Sequence, residues 1–67
     1  MNKKAIGETL RELRGNLSPA MVSENLGISK SALYMYERGE RMPRDEVKVK
    51  IAKLYGKSVT SIFFNQQ

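Results

Sequence analysis

The sequence predicts an all-α fold, a compact bundle of five short helices. Apolar residues recur at helical spacing along the chain, and no segment shows the strict apolar and polar alternation of a strand. Serine, glycine and proline residues divide these segments where helices would start and stop. With 67 residues, 40% of them hydrophobic, the chain is long enough for one core and too short for two. We therefore expect residues 1–67 to form a single domain.

The first helix is predicted to begin at Asn2 or Lys3 and to end at Gly15. Its buried face carries apolar residues at positions i, i+4 and i+7, namely Ile6, Leu10 and Leu13. Arg14 lies four residues after Leu10, at the edge of this buried stripe.

Residues 18–38 are predicted to form two short helices that meet at a fixed angle. Ser18 caps the first of them, Pro19 suits its first position because the missing N–H costs nothing there, and Gly27 ends it. The angle between the helices is filled by Val22, Leu26, Ile28, Leu33 and Tyr36, and Ser23 is small enough to allow close approach.

The third helix is predicted from Lys30 to about Arg38, with Ser29 as its cap and Gly39 as its stop. Counting 100° per residue from Leu33, the outward side carries Ser31, Met35 and Arg38, with Tyr34 on its flank and Lys30 at the first turn.

A fourth helix is predicted to begin near Pro43 or Arg44 and to end at Gly56, and Ser58 is predicted to cap a fifth. Their buried residues are Val47, Ile51 and Leu54 in the fourth helix and Val59, Ile62 and Phe63 in the fifth. We expect Lys48, Lys50 and Lys53 to be plain surface residues, and residues 65–67 to be a frayed tail.

The charge balance favours an anionic partner. A net charge of +5 suits nucleic acid, an acidic protein or an anionic membrane face. No apolar run reaches the roughly 20 residues that span a membrane, and residues 1–4 lead into a charged helix rather than a signal peptide core. We therefore expect a cytoplasmic protein with no membrane partner.

The composition argues against an enzyme. The chain has no cysteine and no histidine, which removes disulfides, thiolate and imidazole metal ligands, and the Ser-His and Cys-His nucleophile pairs. The carboxylates are scattered among lysines and arginines, where nothing would raise a pKa for acid-base catalysis. We expect no catalytic residue, no metal, no cofactor and no small-molecule ligand.

The segment PAMVSENLGISKSALYMYER, residues 19–38, resembles the helix-turn-helix of the Cro and lambda-repressor-like family, often called the XRE family. The resemblance covers nearly the whole chain: residues 6–14 resemble the first helix, 36–43 the end of the third helix and the following loop, and 50–54 and 58–63 the last two helices. It implies the lambda-repressor-like fold, with a helix-turn-helix formed by helices 2 and 3 over about residues 18–38, and binding to double-stranded DNA.

In this family the third helix enters the major groove and its first turn reads base edges. The base-reading residues implied here are Lys30, Ser31, Tyr34 and Met35, and the phosphate-binding residues are Ser29, Arg38, Arg41 and Arg44. Lys30 could donate to guanine, whereas Tyr34 and Met35 offer apolar surface to thymine methyl groups. The alternative for each of these side chains is an ordinary exposed position.

The resemblance also concerns two structural positions. In the family an arginine and a glutamate that match Arg14 and Glu37 pair across the first and third helices; the alternative is two solvated charges. At Pro19 the family usually has a glutamine that contacts a phosphate or braces the recognition helix, and proline can do neither. The loop at residues 15–17 is also short for the family.

The last segment carries more large apolar residues than one short helix can bury, and family members commonly dimerise at this end. We therefore predict a homodimer through Ile62, Phe63 and Phe64, with closure of the core by Phe63 and Phe64 as the alternative. The predicted function is a sequence-specific transcriptional regulator, a bacterial or phage-derived repressor that binds an inverted-repeat operator. The alternative is a protein-interaction module on the same scaffold, such as a phage antagonist or a partner subunit.

Overall fold

The computed structural model describes residues 2–64 and contains five helices in that range, as predicted. They are α1 (Lys3–Arg14), α2 (Pro19–Leu26), α3 (Lys30–Glu37), α4 (Asp45–Tyr55) and α5 (Thr60–Phe64). The tail predicted at residues 65–67 lies outside the described part of the chain.

Side-chain caps fix where the first three helices begin. The Asn2 Oδ1 atom accepts hydrogen bonds from the N–H groups of Lys4 and Ala5 at 3.0 and 3.1 Å. Ser18 and Ser29 cap α2 and α3, since their Oγ atoms accept from backbone N–H groups three residues later at 3.3 and 3.0 Å. These contacts confirm the predicted starts of the three helices.

The angle between α2 and α3 is filled as the sequence indicates. Gly27 adopts the left-handed conformation, with φ of 69°, and turns the chain from α2 into α3. Ser23 is buried and donates its hydroxyl to the carbonyl of Ala20 at 3.1 Å, which satisfies the polar group inside the crossing. The buried side chains at this crossing are Val22, Leu26, Leu33 and Tyr36, with Ile28 partly buried beside them.

Helix α1 packs closely on the end of α3. A Cβ atom at Gly7 would lie 2.5 Å from the Glu37 carbonyl oxygen and 2.7 Å from that of Tyr36, so only glycine permits this approach. Arg14 and Glu37 form the predicted ion pair, with Nε and Oε2 2.7 Å apart. The two contacts together fix α3 against α1.

The fifth helix differs from the prediction in its geometry. Residues Thr60–Phe64 form a single π-helical turn, and the Ser58 hydroxyl oxygen accepts the N–H of Ser61 at 3.0 Å. Within this turn Ile62 and Phe63 are both buried, with 1% and 0% of their surface exposed. They complete the core formed by α1, α2, α3 and α4.

Lys48 is not the surface residue that the sequence predicts. Only 8% of it is exposed, because its ammonium lies under the ring of Phe64, 5.3 Å from the ring centre, and 5.6 Å from that of Phe63. Its nitrogen is also 3.7 Å from an oxygen of Asp45, one turn earlier in α4. The aliphatic stem of Lys48 is thus buried, while its ammonium lies at the edge of the core beside the two phenylalanine rings.

Candidate nucleic-acid interface

The first turn of α3 presents polar side chains to solvent. Lys30 and Ser31 are both exposed, with Leu33 buried on the opposite side of the helix. The Ser29 oxygen accepts the N–H of Ala32, which leaves the hydroxyl proton free to donate to an anion. This turn therefore offers a cation and two hydroxyl donors at the start of one helix.

Tyr34 and Met35 continue the outward side of α3. Tyr34 is 38% exposed, and Met35 is partly buried. Their neighbours Leu33 and Tyr36 are buried in the core, so the opposite side of this helix packs against the rest of the domain. A narrow apolar strip thus follows the polar first turn.

Three arginines follow α3 in the segment 38–44, which we call the arginine loop. Arg38, Arg41 and Arg44 are all exposed, and Arg44 is the residue that precedes α4. Guanidinium groups suit phosphate oxygens because they present several N–H donors in one plane. The loop therefore extends a cationic surface from the end of α3 to the start of α4.

Arg38 has a partner that was not predicted from the sequence. Its Nε and Nη2 atoms donate to Oε2 and Oε1 of Glu40 at 2.9 and 3.2 Å. These hydrogen bonds raise the pKa of Arg38 and lower the pKa of Glu40. A glutamate two residues after an arginine, across a glycine, was the available signal in the sequence.

The turn at Gly39 holds this pair in place. Gly39 has φ of 75°, and the N–H of Glu40 bonds to the carbonyl of Met35 at 2.9 Å, an arrangement that closes the end of a helix. A Cβ atom at Gly39 would lie 2.7 Å from the Cα atom of Lys4, so the turn also packs against the first turn of α1. The start of the arginine loop is therefore anchored on two sides.

Two of the three residues predicted for the dimer surface are not on the surface. Ile62 and Phe63 are 1% and 0% exposed, because they fill the space between α5 and the remaining helices. That part of the prediction is corrected, since neither side chain is available to a second copy in this fold. Phe64 is 49% exposed and is the one residue of the three that remains available.

Exposed apolar side chains also lie just before α2 and in its first turn. Leu17 and Met21 are 40% and 42% exposed, and Pro19 between them occupies the first position of the helix. Pro19 was identified from the sequence as a departure from the family, but its two exposed neighbours were not. Their signal was that neither fits the buried stripe of α2, which contains Val22 and Leu26.

The described residues 2–64 contain no cluster of three or more acidic, histidine or cysteine side chains that could hold a metal ion. None of the helices in this range is long and apolar enough to cross a membrane.

A family model described as helix-turn-helix matches residues 8–62, which is most of the chain. The match covers α2, α3 and α4 in full, α1 from Glu8 onward and α5 as far as Ile62. A comparison with curated proteins gave no match.

Proposed function

Because this chain belongs to the Cro and C1-type helix-turn-helix family, also called the XRE family, we propose that it is a repressor that inserts α3 into the major groove of an inverted-repeat operator. The family assignment makes the chain a DNA-binding helix-turn-helix regulator. The repressor role, the symmetry of the operator and a single domain over residues 1–67 belong to the proposal, as do a cytoplasmic location and a bacterial or phage origin.

One observation carries the proposal: α3 has eight residues, with an exposed polar turn at its start, at Lys30, and the arginine loop, residues 38–44, directly after its end. An α-helix with its side chains is about 10 to 12 Å across, which matches the width of about 12 Å of the major groove of B-DNA. A helix held in the groove would bring Arg38, Arg41 and Arg44 to the phosphates that border it.

The base contacts are assigned to the exposed residues of α3. Lys30 donates to the O6 and N7 atoms of guanine, and Ser31 bonds to a base edge. Tyr34 and Met35 pack on thymine methyl groups, and Ser29 donates its hydroxyl proton to a phosphate. The exposure of Lys30, Ser31 and Tyr34 supports these roles.

Two copies act together on the operator. One helix-turn-helix reads only a few base pairs, whereas a two-fold dimer reads two half-sites about 34 Å apart. Phe64 is the residue assigned to the contact between copies, because it is a large apolar side chain that is half exposed near the end of the described chain.

Selection of bound duplexes from a random pool, at near-physiological salt, tests this function. We expect an inverted-repeat consensus with half-sites one helical turn apart, and occupancy by two copies. Recovery of sequences with no consensus would contradict sequence-specific regulation, and a single half-site would contradict the dimer.

A protein-interaction module on the same scaffold is the second candidate, and the exposed apolar pair of Leu17 and Met21 favours it. In that case binding of a protein partner would be lost in Met21→Glu while duplex binding, if any, would be unchanged. For the repressor, Lys30→Ala changes the duplexes that are selected, whereas Met21→Glu leaves the function intact.

A further inference from the structure

Arg38 already holds an anion in the free protein. Its Nε and Nη2 atoms donate to the two carboxylate oxygens of Glu40 at 2.9 and 3.2 Å, so the pair is joined by two parallel hydrogen bonds. A guanidinium uses the same edge and the same pair of donors for two phosphate oxygens. Glu40 therefore occupies the edge of Arg38 that is best suited to a DNA backbone.

The backbone keeps the carboxylate at this position. Gly39 combines a left-handed conformation with close packing on Lys4, and the N–H of Glu40 is bonded to the carbonyl of Met35 at 2.9 Å. Arg38 and Glu40 lie on either side of this fixed glycine. Their side chains therefore meet through local geometry alone. The backbone at Glu40 can move away from Arg38 only if the Gly39 turn separates from Lys4 of α1.

The pair contributes little to folding stability, but Glu40 changes the charge of the arginine loop. The side chains of Arg38 and Glu40 are 58% and 54% exposed, and ion pairs this exposed contribute little to folding. Glu40 is, however, the only acidic residue in the arginine loop, where it offsets one of three positive charges. An approaching phosphate would meet it well within the screening length of about 8 Å at physiological salt.

We propose that Glu40 is a built-in competitor of DNA phosphate for the Arg38 guanidinium. For a phosphate to bind the same edge of Arg38, the arginine must exchange one anion for another, because a carboxylate and a phosphate side by side repel each other. This exchange carries no base information, so Glu40 lowers the affinity for every duplex alike. The inference rests on the proposed function, in which the arginine loop contacts the backbone.

The test uses Glu40→Gln, which keeps the size of the side chain and removes its charge. On a fixed duplex without an operator, we expect roughly two- to fivefold tighter binding per subunit, the range set by a released surface ion pair. The slope of log affinity against log salt should become steeper by about 0.9 for each additional phosphate that the protein neutralises. Thermal unfolding should be nearly unchanged.

Glu12→Gln is the matched control. Glu12 is exposed on α1 and lies eight residues from Lys4, the residue on which the Gly39 turn packs; eight residues of helix span about 12 Å. The variant makes the same change in net charge outside the arginine loop, about 12 Å along α1 from Lys4, and we expect less than half of the gain in affinity.

The Arg38→Ala background identifies the mechanism. A competitor acts through Arg38, so Glu40→Gln should bring no gain in affinity when Arg38 is absent. An equal gain in that background, or an equal gain from Glu12→Gln, would mean a general charge effect and would overturn the inference. Weaker binding by Glu40→Gln would also overturn it, because Glu40 would then orient Arg38 toward the phosphate.

The proposed function and the competitor role fail in different ways. If the unmodified protein binds no duplex at any salt concentration, the proposed function is wrong and the inference is wrong with it. If the protein binds duplexes but Glu40→Gln binds them no more tightly, only the competitor role is wrong.

Discussion

Arg14 at the end of α1 and Glu37 at the end of α3 are joined by two hydrogen bonds that connect the first helix to the recognition helix. The Nε and Nη2 atoms of Arg14 donate to Oε2 and Oε1 of Glu37 at 2.7 and 3.2 Å. The side chains are only 12% and 3% exposed, and the hydrogen bond to Glu37 raises the pKa of Arg14. The remaining Nη1 atom donates to the carbonyl of Leu17 at 3.1 Å, which adds the loop before α2 to the same contact.

We expect removal of Glu37 to destabilise the fold strongly. Glu37→Ala leaves a largely buried guanidinium without its carboxylate, and breaking such a pair costs about 3 kcal/mol or more. Chemical denaturation measures the loss, with Glu24→Ala on the exposed side of α2 as a control that should stay within about 0.5 kcal/mol. The double variant Arg14→Met with Glu37→Leu should recover much of the stability, because neither charge is then left alone. A loss below about 1 kcal/mol in Glu37→Ala would contradict a buried pair.

The sequence predicted this pair because both residues carry local information. Each lies at the edge of a regular apolar stripe, and the family places an arginine and a glutamate at the two positions. The same kind of local pattern predicted the caps at Ser18 and Ser29 and the turn at Gly27, since each depends on neighbours only a few residues away.

The misplaced residues depend on contacts between distant segments. Lys48 follows Val47 in α4 and becomes buried only because Phe63 and Phe64 arrive from α5. In the run Ile62, Phe63 and Phe64, the composition indicates an excess of apolar surface but not which side chains turn inward. Which of these side chains turn inward depends on the shape of the space between the other helices. The helical spacing of apolar residues within one segment contains no information about that shape.

Gly7 should be essential for the approach of α1 to α3. In Gly7→Ala the added methyl group would lie 2.5 Å from a carbonyl oxygen of the α3 backbone, so one of the helices must shift. We expect a net loss of about 2 kcal/mol, because overpacking outweighs the better helix propensity of alanine. Thermal or urea unfolding measures it, and Glu8→Ala at the next, exposed position is the control. A Gly7→Ala protein as stable as the unmodified one would show that the two helices have room to separate.

Arg41 should contribute to DNA binding without regard to sequence. It is exposed in the arginine loop, and no ion pair involves it among the described residues. Arg41→Ala should weaken binding to operator and random duplexes by the same factor and should reduce the magnitude of the log-log salt slope by about 0.9 for each phosphate that is no longer neutralised. Titrations at several salt concentrations measure both effects. Tight binding whose affinity does not change with salt concentration would contradict contact between the arginine loop and the DNA backbone.

Lys30 and Ser31 should determine which bases are preferred. Alanine at either position should cost about 1 to 3 kcal/mol at the selected operator and much less on random DNA, because the base is no longer bound whereas the phosphates still are. Repeating the duplex selection with each variant should show a relaxed preference at one position in each half-site. If both variants retain the original consensus, the bases are read farther along α3, at Tyr34 and Met35.

Truncation of the adjacent residues Phe63 and Phe64 should have different effects, the first on stability and the second on cooperative binding. Phe63 is fully buried, so Phe63→Ala should destabilise the domain by about 3 to 5 kcal/mol. Phe64 is 49% exposed and contacts the Lys48 ammonium, so Phe64→Ala should cost only about 1 kcal/mol, the value of the cation–π interaction that it removes. It should nevertheless weaken cooperative binding to a duplex with two half-sites, because the copies would no longer meet through this side chain.

Sedimentation with and without that duplex measures the cooperativity, and denaturation measures the stability. If Phe64→Ala unfolds the domain, Phe64 belongs to the core; if it leaves cooperativity unchanged, the two copies meet at another surface, and Val49, exposed on α4 next to Lys48, is the residue to substitute next.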